Sequence, residues 1–490
     1  RDQRCGFTLP LARSRLPAPG VERYRRGTHG TKSLRAQNNE GLDDEALHDL
    51  LDASAEYMHR MRKKYDGMDH RALRANTPDE DLLRIKQDGL GLDLLAFTVI
   101  VDDIVLPEGS TVMGALGGGG AQTLWGARLR SEDIALGIAA GVGDDLPASA
   151  REWFEKADIS TSGLMRVEDA QTPRAWQVCE EDGRRTQVWR TPEDQTLFRL
   201  LRPSVNSLPK QFQCARGVHI GINPEFCSLE HLMDLRVMLD DANDSGGLLT
   251  VESFTSAGRE IEVSRIRAML GIPDLFSPNL AEAASMYGEE VGVEGFDEDS
   301  MVMTSGSVRD AIVERALSLA VRLKANAGWD GGKLTVVVRC GAAGAVLLER
   351  SASVAWHIPA CAETRVADVT GCGNAFCGGL HASLLLCDEE ESDGGEPESR
   401  SSSPLLEAGL WGAAAASLMA EARAMPEQPP QQLRAEALRR IESLRPRVTK
   451  FGTAELKKYW MPAVLNIVLD RRGDLHEDYI NYLNSKGYIK

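Results

Sequence analysis

No apolar run in the 490 residues is long enough to cross a bilayer. The longest, Leu94 to Val101 and Ala413 to Ala420, fall well short of the ~18 to 20 residues a spanning helix needs. The nine cysteines form no C-x-x-C pair and accompany no paired histidine spacing, which argues against a zinc site. Their odd number, spread through apolar runs such as Leu385-Leu386-Cys387, fits reduced thiols in a cytosol-like or organelle-matrix compartment better than a disulfide scaffold. Positive charge is short. The 56 Lys and Arg against 73 Asp and Glu leave a net charge of -17, which opposes general binding to nucleic acid or to anionic membranes. There is no internal repeat, and no G-x-G-x-x-G follows the first candidate strand, which argues against a Rossmann dehydrogenase.

What is present is an ordinary globular composition, 42% apolar and 26% charged with a mean hydropathy of -0.26. The charge is unevenly spread. Residues 1–40 carry nine Lys or Arg against three acids, and residues 447–490 carry eight against five, so the middle of the chain holds the acidic excess. A basic arm poor in acids and dotted with Arg, Ser and Thr has the composition of an organelle transit peptide, the alternative being a disordered polar tail. The first reading places the protein in a plastid or mitochondrial matrix and the second in the cytoplasm. A chain that opens on Arg1 is expected to be processed or partial.

Leu47, Leu50, Leu51, Met58 and Met61 have the i, i+3, i+4 rhythm of an amphipathic helix over 43–62, and 66–90 reads as a connector. Leu94 to Val101, ending in Asp102-Asp103, reads as one strand buried on both faces. Residues 176–190 alternate around Glu181-Asp182-Gly183 and predict a β-hairpin. From 217 onward strands at 218–222, 248–251, 334–338, 345–348 and 354–358 alternate with helices, of which 374–387 and 405–422 come last. That alternation predicts an α/β fold with a mostly parallel sheet covered on both faces. Seven acids among residues 388–398 cannot pack, so 388–403 reads as a solvated loop. The expected divisions are a basic tail at 1–40, a helical extension at 41–90, a main domain at 91–425 and a C-terminal extension at 426–490.

The most informative stretch is Asp368-Val369-Thr370-Gly371-Cys372-Gly373-Asn374-Ala375-Phe376-Cys377-Gly378-Gly379. Glycines at 371 and 373 permit a tight turn into a helix, whose first N–H groups and dipole attract an anion such as a transferring phosphate. An ordinary loop-to-helix joint would look the same. The stretch resembles the C-terminal signature of the ribokinase-like (PfkB-type) carbohydrate kinases, D-T-x-G-A-G-D followed by a small residue, Phe and a Gly-Gly pair. About 250 residues upstream, Gly117-Gly118-Gly119-Gly120-Ala121-Gln122 and the helix running to Ala127-Arg128-Leu129 resemble the family's N-terminal glycine pair and its small-residue helix. Gly141-Val142-Gly143-Asp144-Asp145 stands where the family has V-G-x-D. Asn279-Leu280-Ala281-Glu282 is similar to its N-x-x-E element, and Arg339-Cys340-Gly341-Ala342-Ala343-Gly344 to its G-x-x-G segment beside the nucleotide. Two distant signatures in family order are far more specific than either alone.

The resemblance, over about two thirds of the chain, implies a ribokinase-like three-layer sandwich with a small β lid, to which the 176–190 hairpin and a strand near 104–113 would belong. It implies ATP and Mg2+ as cofactors and a sugar-like ligand that receives the γ-phosphoryl group on a hydroxymethyl. It also implies roles: Gly371, Cys372 and Gly373 form an anion hole; Arg339, Gly341 and Gly344 lie by the nucleotide; Asp102, Gly117 and Gly118 hold the substrate; Asn279 and Glu282 organise magnesium through water. The family's general base is the Asp ending G-A-G-D, and here that position is Asn374. A carboxamide cannot accept the proton, and loss of a general base costs ~10²- to 10⁴-fold. Asp368, six residues earlier, is expected to point elsewhere. Ala121-Gln122 replaces the Asn common in the kinases, and the G-x-G-N form resembles a divergent branch of the family. The expected function is therefore a kinase-like protein that binds ATP-Mg and a sugar-like ligand with impaired phosphoryl transfer. The alternatives are an active sugar or nucleoside kinase and a non-catalytic scaffold subunit of an organellar complex, with protein partners held by the terminal extensions.

Overall fold

The computed structural model describes residues 84–469 apart from 86–87, 182–184, 194, 244–245, 298–301, 304–305, 328–332 and 393–402. The basic tail, the helix expected at 43–62, most of the 66–90 connector and residues 470–490 lie outside the described residues.

Strand Leu94–Phe97 is buried at every position, as is Leu136–Val142, because helices cover both faces of the sheet they belong to. Side chains alternate between two cores. Leu94, Ala96, Val337 and Leu347 enter one, and Leu95, Phe97, Val336, Val338, Val346 and Leu348 enter the other. Across this sheet the strands run Thr449–Phe451, Ala355–Ile358, Ala345–Leu348, Thr335–Arg339, Leu275–Ser277, Leu248–Ser253, Gly217–Ile222, Leu94–Phe97, Leu136–Val142 and Ile159–Arg166. The pairings from Thr335–Arg339 through to Ile159–Arg166 are all parallel, and the other three are antiparallel. Helices Gly119–Arg130, Cys372–Ser392, Pro404–Met419 and Pro430–Leu444 cover one face. Leu229–Ala242, Val263–Leu270, Arg309–Ala327 and Thr453–Leu469 cover the other. This is the three-layer, mostly parallel architecture the sequence predicts.

A second, four-stranded sheet has the order Thr111–Gly117, Ile100–Val105, Arg174–Cys179, Arg185–Trp189. It contains the expected hairpin. Its buried anchor is Asp103, which accepts from both Arg174 nitrogens at 2.7 Å and from the Gly114 N–H at 2.9 Å, and also pairs with Arg190.

Two expectations are corrected. The run Leu94 to Val101 is not one strand: it breaks at Thr98-Val99, and Ile100–Val105 continues in the small sheet, so Asp102 lies within a second strand rather than at the end of the first. Thr98 takes φ 86°, held by its hydroxyl on the Leu201 carbonyl at 3.0 Å and its N–H on Ala139 at 3.2 Å. Both strands are buried, so hydrophobicity shows no seam between them. The acidic stretch begins as helix, because Cys372–Ser392 runs five residues past its expected end. Among the described residues of the expected C-terminal extension, 447–469 pack against the core. Thr449–Phe451 adds an antiparallel edge strand to Ala355–Ile358, and Leu456, Trp460 and Ala463 are buried in the core beneath helix Thr453–Leu469.

Candidate functional site

Helices Gly119–Arg130 and Cys372–Ser392 pack backbone against backbone. A Cβ at Gly126 would overlap the Ala375 carbonyl oxygen, and one at Gly378 would overlap that of Thr123. This close crossing sets Gln122 of the first helix against the start of the second. Gly371 takes φ 78°, where glycine is favoured, and a side chain there would collide with Gln122. The helix begins at Cys372, so its first N–H groups have no carbonyl partners within it. That of Cys372 reaches the Val369 carbonyl at 3.3 Å. Asp368 accepts the Thr370 N–H at 2.8 Å, which turns its carboxylate into its own loop, as expected.

Asn374 sits in the first turn of this helix, and its amide is gripped on both sides. One side meets Gln122 and the other meets the carboxylate of Glu252. A carboxylate only accepts, so the Asn374 nitrogen must face Glu252, donating to its Oε2 at 3.1 Å. The Asn374 oxygen then accepts from the Gln122 amide.

Glu252, 2% exposed, is the hub of a buried network at the carboxyl ends of the parallel strands. Arg339 Nη1 lies 3.1 Å from its Oε2, His219 Nε2 3.4 Å from its Oε1, and Cys377 Sγ 3.6 Å from its Oε2. Burial pushes the Glu252 carboxyl up, but Arg339 and His219 more than offset this and hold it below the usual range. Burial and the same carboxylate push the Cys377 thiol up to about 12. Behind Glu252, Thr250 Oγ1 bridges His219 Nδ1 at 2.8 Å and His381 Nδ1 at 2.7 Å. Burial, with His219 adding to it, pushes the His381 imidazole well below its usual range. Donor atoms of His219, Glu252 and Cys377 lie within 4.8 Å of one another. The Arg339 guanidinium on the same carboxylate opposes a cation among them.

Arg339 therefore points inward. It also donates to the Ser277 carbonyl at 2.9 Å and lies 3.5 Å from Glu282. A Cβ on Gly373 would overlap Arg339 Nη1, so that glycine makes room for the buried guanidinium. Asn279 and Glu282 form a capping box. The Asn279 oxygen accepts from the Glu282 N–H at 2.8 Å, while the Glu282 oxygens accept from the Asn279 backbone at 2.7 Å and its amide at 2.8 Å. Burial pushes the Glu282 carboxyl up to about 7, with Arg339 opposing. Both oxygens are engaged, so this pair can hold magnesium through water rather than directly.

On the other side, Asp102 accepts from Gln177 Nε2 at 2.8 Å, and a Cβ on Gly117 would overlap its Oδ2. Gly118, at φ 92°, leads into helix Gly119–Arg130. Asp145 accepts the Thr172 N–H at 2.7 Å and so ties the V-G-x-D loop to the chain entering the hairpin. Gly341 and Gly344 bracket a short 3-10 turn between strands Thr335–Arg339 and Ala345–Leu348.

The fold thus brings Gln122, Gly371, Gly373, Asn374, Arg339 and Glu282 into one neighbourhood. It places Asp102 and Gly117 on the small sheet and Gly341 at an exposed turn away from Arg339's inward head group. Sequence reasoning missed Glu252, His219, Thr250, His381, Cys377 and Gln177. The available signal was Glu252 and His219, ionisable residues inside strands that otherwise read as buried.

Residues 92–427 match the pfkB family carbohydrate kinase. A ribokinase from Giardia lamblia is 17% identical, with a TM-score of 0.50 over 71% of this chain and 98% of its own. A fructokinase from Xylella fastidiosa, with bound ATP, is 16% identical, with a TM-score of 0.50 over 72% of this chain and 98% of its own. Among curated proteins none matches the chain. With the family match spanning well over half of its length and the same fold in both kinases, the chain belongs to the pfkB family of carbohydrate kinases.

Proposed function

We propose that the chain binds magnesium ATP and a sugar-like polyhydroxy ligand between the carboxyl ends of the sheet and the small β-sheet, and that its phosphoryl transfer is impaired. The observation that carries this reading is Asn374, an amide held on both sides at the start of helix Cys372–Ser392 beside Gly371 and Gly373. The bound ATP of the Xylella fructokinase supports the nucleotide part.

In this reading the first-turn N–H groups of the helix donate hydrogen bonds to the transferring group and stabilise its negative charge. Asn279 and Glu282 hold magnesium through water, and the metal when bound neutralises charge on phosphate oxygens. Asp102, fixed by Gln177, accepts hydrogen bonds from ligand hydroxyls, and Gly117 and Gly118 let the ligand approach the backbone. Positioning and charge neutralisation dominate phosphoryl transfer and survive the loss of the base. Proton removal does not, because an amide oxygen orients a hydroxyl without taking its proton.

The test is calorimetry on the full chain with magnesium ATP, beside transfer assays over a panel of sugars and nucleosides. Cys372→Asp is the control variant. A carboxylate in the first turn suits the helix dipole and preserves folding, yet repels a phosphate from the anion hole. Binding by the parent that Cys372→Asp abolishes supports the reading. No binding by the parent overturns it in favour of a scaffold, and turnover at ~1 to 100 per second overturns it in favour of a working kinase.

A further inference from the structure

We infer that Glu252 is a positioning residue that dictates an amide at 374: the site's negative charge has its seat on strand Leu248–Ser253, one layer behind the helix start. The inference rests on the phosphotransfer reading for its role in the reaction, but the contact that carries it stands independently.

The contact is between a carboxylate already engaged by three other side chains and an amide that completes its shell. Glu252 is held by Arg339 at 3.1 Å, His219 at 3.4 Å and Cys377 at 3.6 Å, from strand Thr335–Arg339, strand Gly217–Ile222 and helix Cys372–Ser392 respectively. The remaining approach is filled by Asn374, whose nitrogen donates at 3.1 Å. This fixes the direction of the whole chain of bonds. The Asn374 oxygen faces Gln122, and Gln122 must present its nitrogen, so Glu252 sets the hydrogen-bond polarity two residues away at the edge of the ligand space.

An Asp at 374 would bring a second carboxylate into hydrogen-bond contact with the first. Two carboxylates at that distance, the one at 252 buried and the one at 374 half-buried, do not both ionise readily, and they share a proton. The nearest positive charge, Arg339, cannot relieve them, because it already faces both Glu252 and Glu282. Asn374→Asp alone therefore returns a protonated pair rather than a free base. Removing the Glu252 charge at the same time leaves one carboxylate, at 374, where the family's base stands.

The experiment compares the full-length parent, Glu252→Gln, Asn374→Asp and the double variant, by thermal unfolding without ligand and by phosphoryl transfer from magnesium ATP to the sugar and nucleoside panel. Asn374→Asp is expected to lower the unfolding midpoint by about 3 °C or more, and adding Glu252→Gln is expected to restore it. The double variant is expected to transfer at least ~10²-fold faster than the parent or Asn374→Asp. Should Glu252→Gln unfold the chain by stranding Arg339, Glu252→Asp serves instead: it keeps that charge while drawing back from 374, and relieves Asn374→Asp in part. An Asn374→Asp protein as stable as the parent, no relief from either Glu252 variant, or Asn374→Asp alone transferring as fast as a measurably active double variant overturns the inference. A stability cycle that behaves as expected while no variant transfers phosphate upholds the Glu252–Asn374 pairing and overturns the phosphotransfer reading.

Discussion

The C-terminal helix Thr453–Leu469 provides a direct test of where the folded core ends. Leu456 is fully buried and Trp460 is 5% exposed, both packed in the core cluster that includes Leu317 and Val321 of helix Arg309–Ala327. They stand four residues apart, on one face of their helix. Leu456→Ala removes three buried carbons and leaves a cavity, which typically costs ~2 to 5 kcal/mol; Trp460→Ala typically costs ~3 to 5 kcal/mol. Because the two share one helix face, their costs will not add fully. Even so, the pair approaches the whole stability of an ordinary domain, ~5 to 15 kcal/mol. The assay is urea unfolding followed by circular dichroism, with limited proteolysis to find whether the helix alone has detached. Each single variant is expected to lower the midpoint at unchanged slope, and the fragment 41–446 is expected to aggregate or melt without cooperativity. Changes within ~0.5 kcal/mol, the usual range for surface positions, together with a cooperatively folded 41–446 fragment, would refute the reasoning.

Two further outcomes concern the small sheet. Burial pushes the Asp103 carboxyl up, but Arg174, the Gly114 N–H and Arg190 outweigh it and hold it at about 2. Its folded value lies below its unfolded one, so its contribution, about 2 kcal/mol, is present above pH ~4 and lost as the pH falls from there through 2; urea midpoints should lose that acid-dependent portion in Asp103→Asn, and an unchanged pH profile would count against the anchor. Gly117→Ala places a methyl on Asp102 and should abolish binding of the sugar-like ligand while leaving magnesium ATP binding intact in calorimetry; equal loss of both would show that Asp102 serves folding rather than the ligand.

The sequence by itself determined the architecture and the family, because both rest on local pattern. Strands buried on two faces read as apolar runs wherever they sit, and glycines that permit a tight turn or a close helix approach are visible as letters in order. Asn374, at the position where the resemblance expects an Asp, was equally plain, since it stands inside a recognisable frame. Tertiary structure alone decided what those letters touch. Arg339, expected beside the nucleotide, turns its guanidinium inward onto Glu252 and Glu282, because Gly373 leaves space for it. The run from Leu94 to Val101 looked like one strand and is two in different sheets, since burial erases the polar seam that would mark the break. Residues 447–490 look separate by charge, yet the apolar face of helix Thr453–Leu469 packs on the core, because net charge reports the solvated side of a helix and says nothing of the other. Glu252 lies 122 positions from Asn374 and belongs to no motif of the chain. Only the register of parallel strands, which sets Glu252 beside Ser277 and the end of Thr335–Arg339, and the close crossing of two glycine-bearing helices bring that carboxylate to the amide. Such contacts depend on strand order and helix approach, which hydrophobic periodicity does not encode.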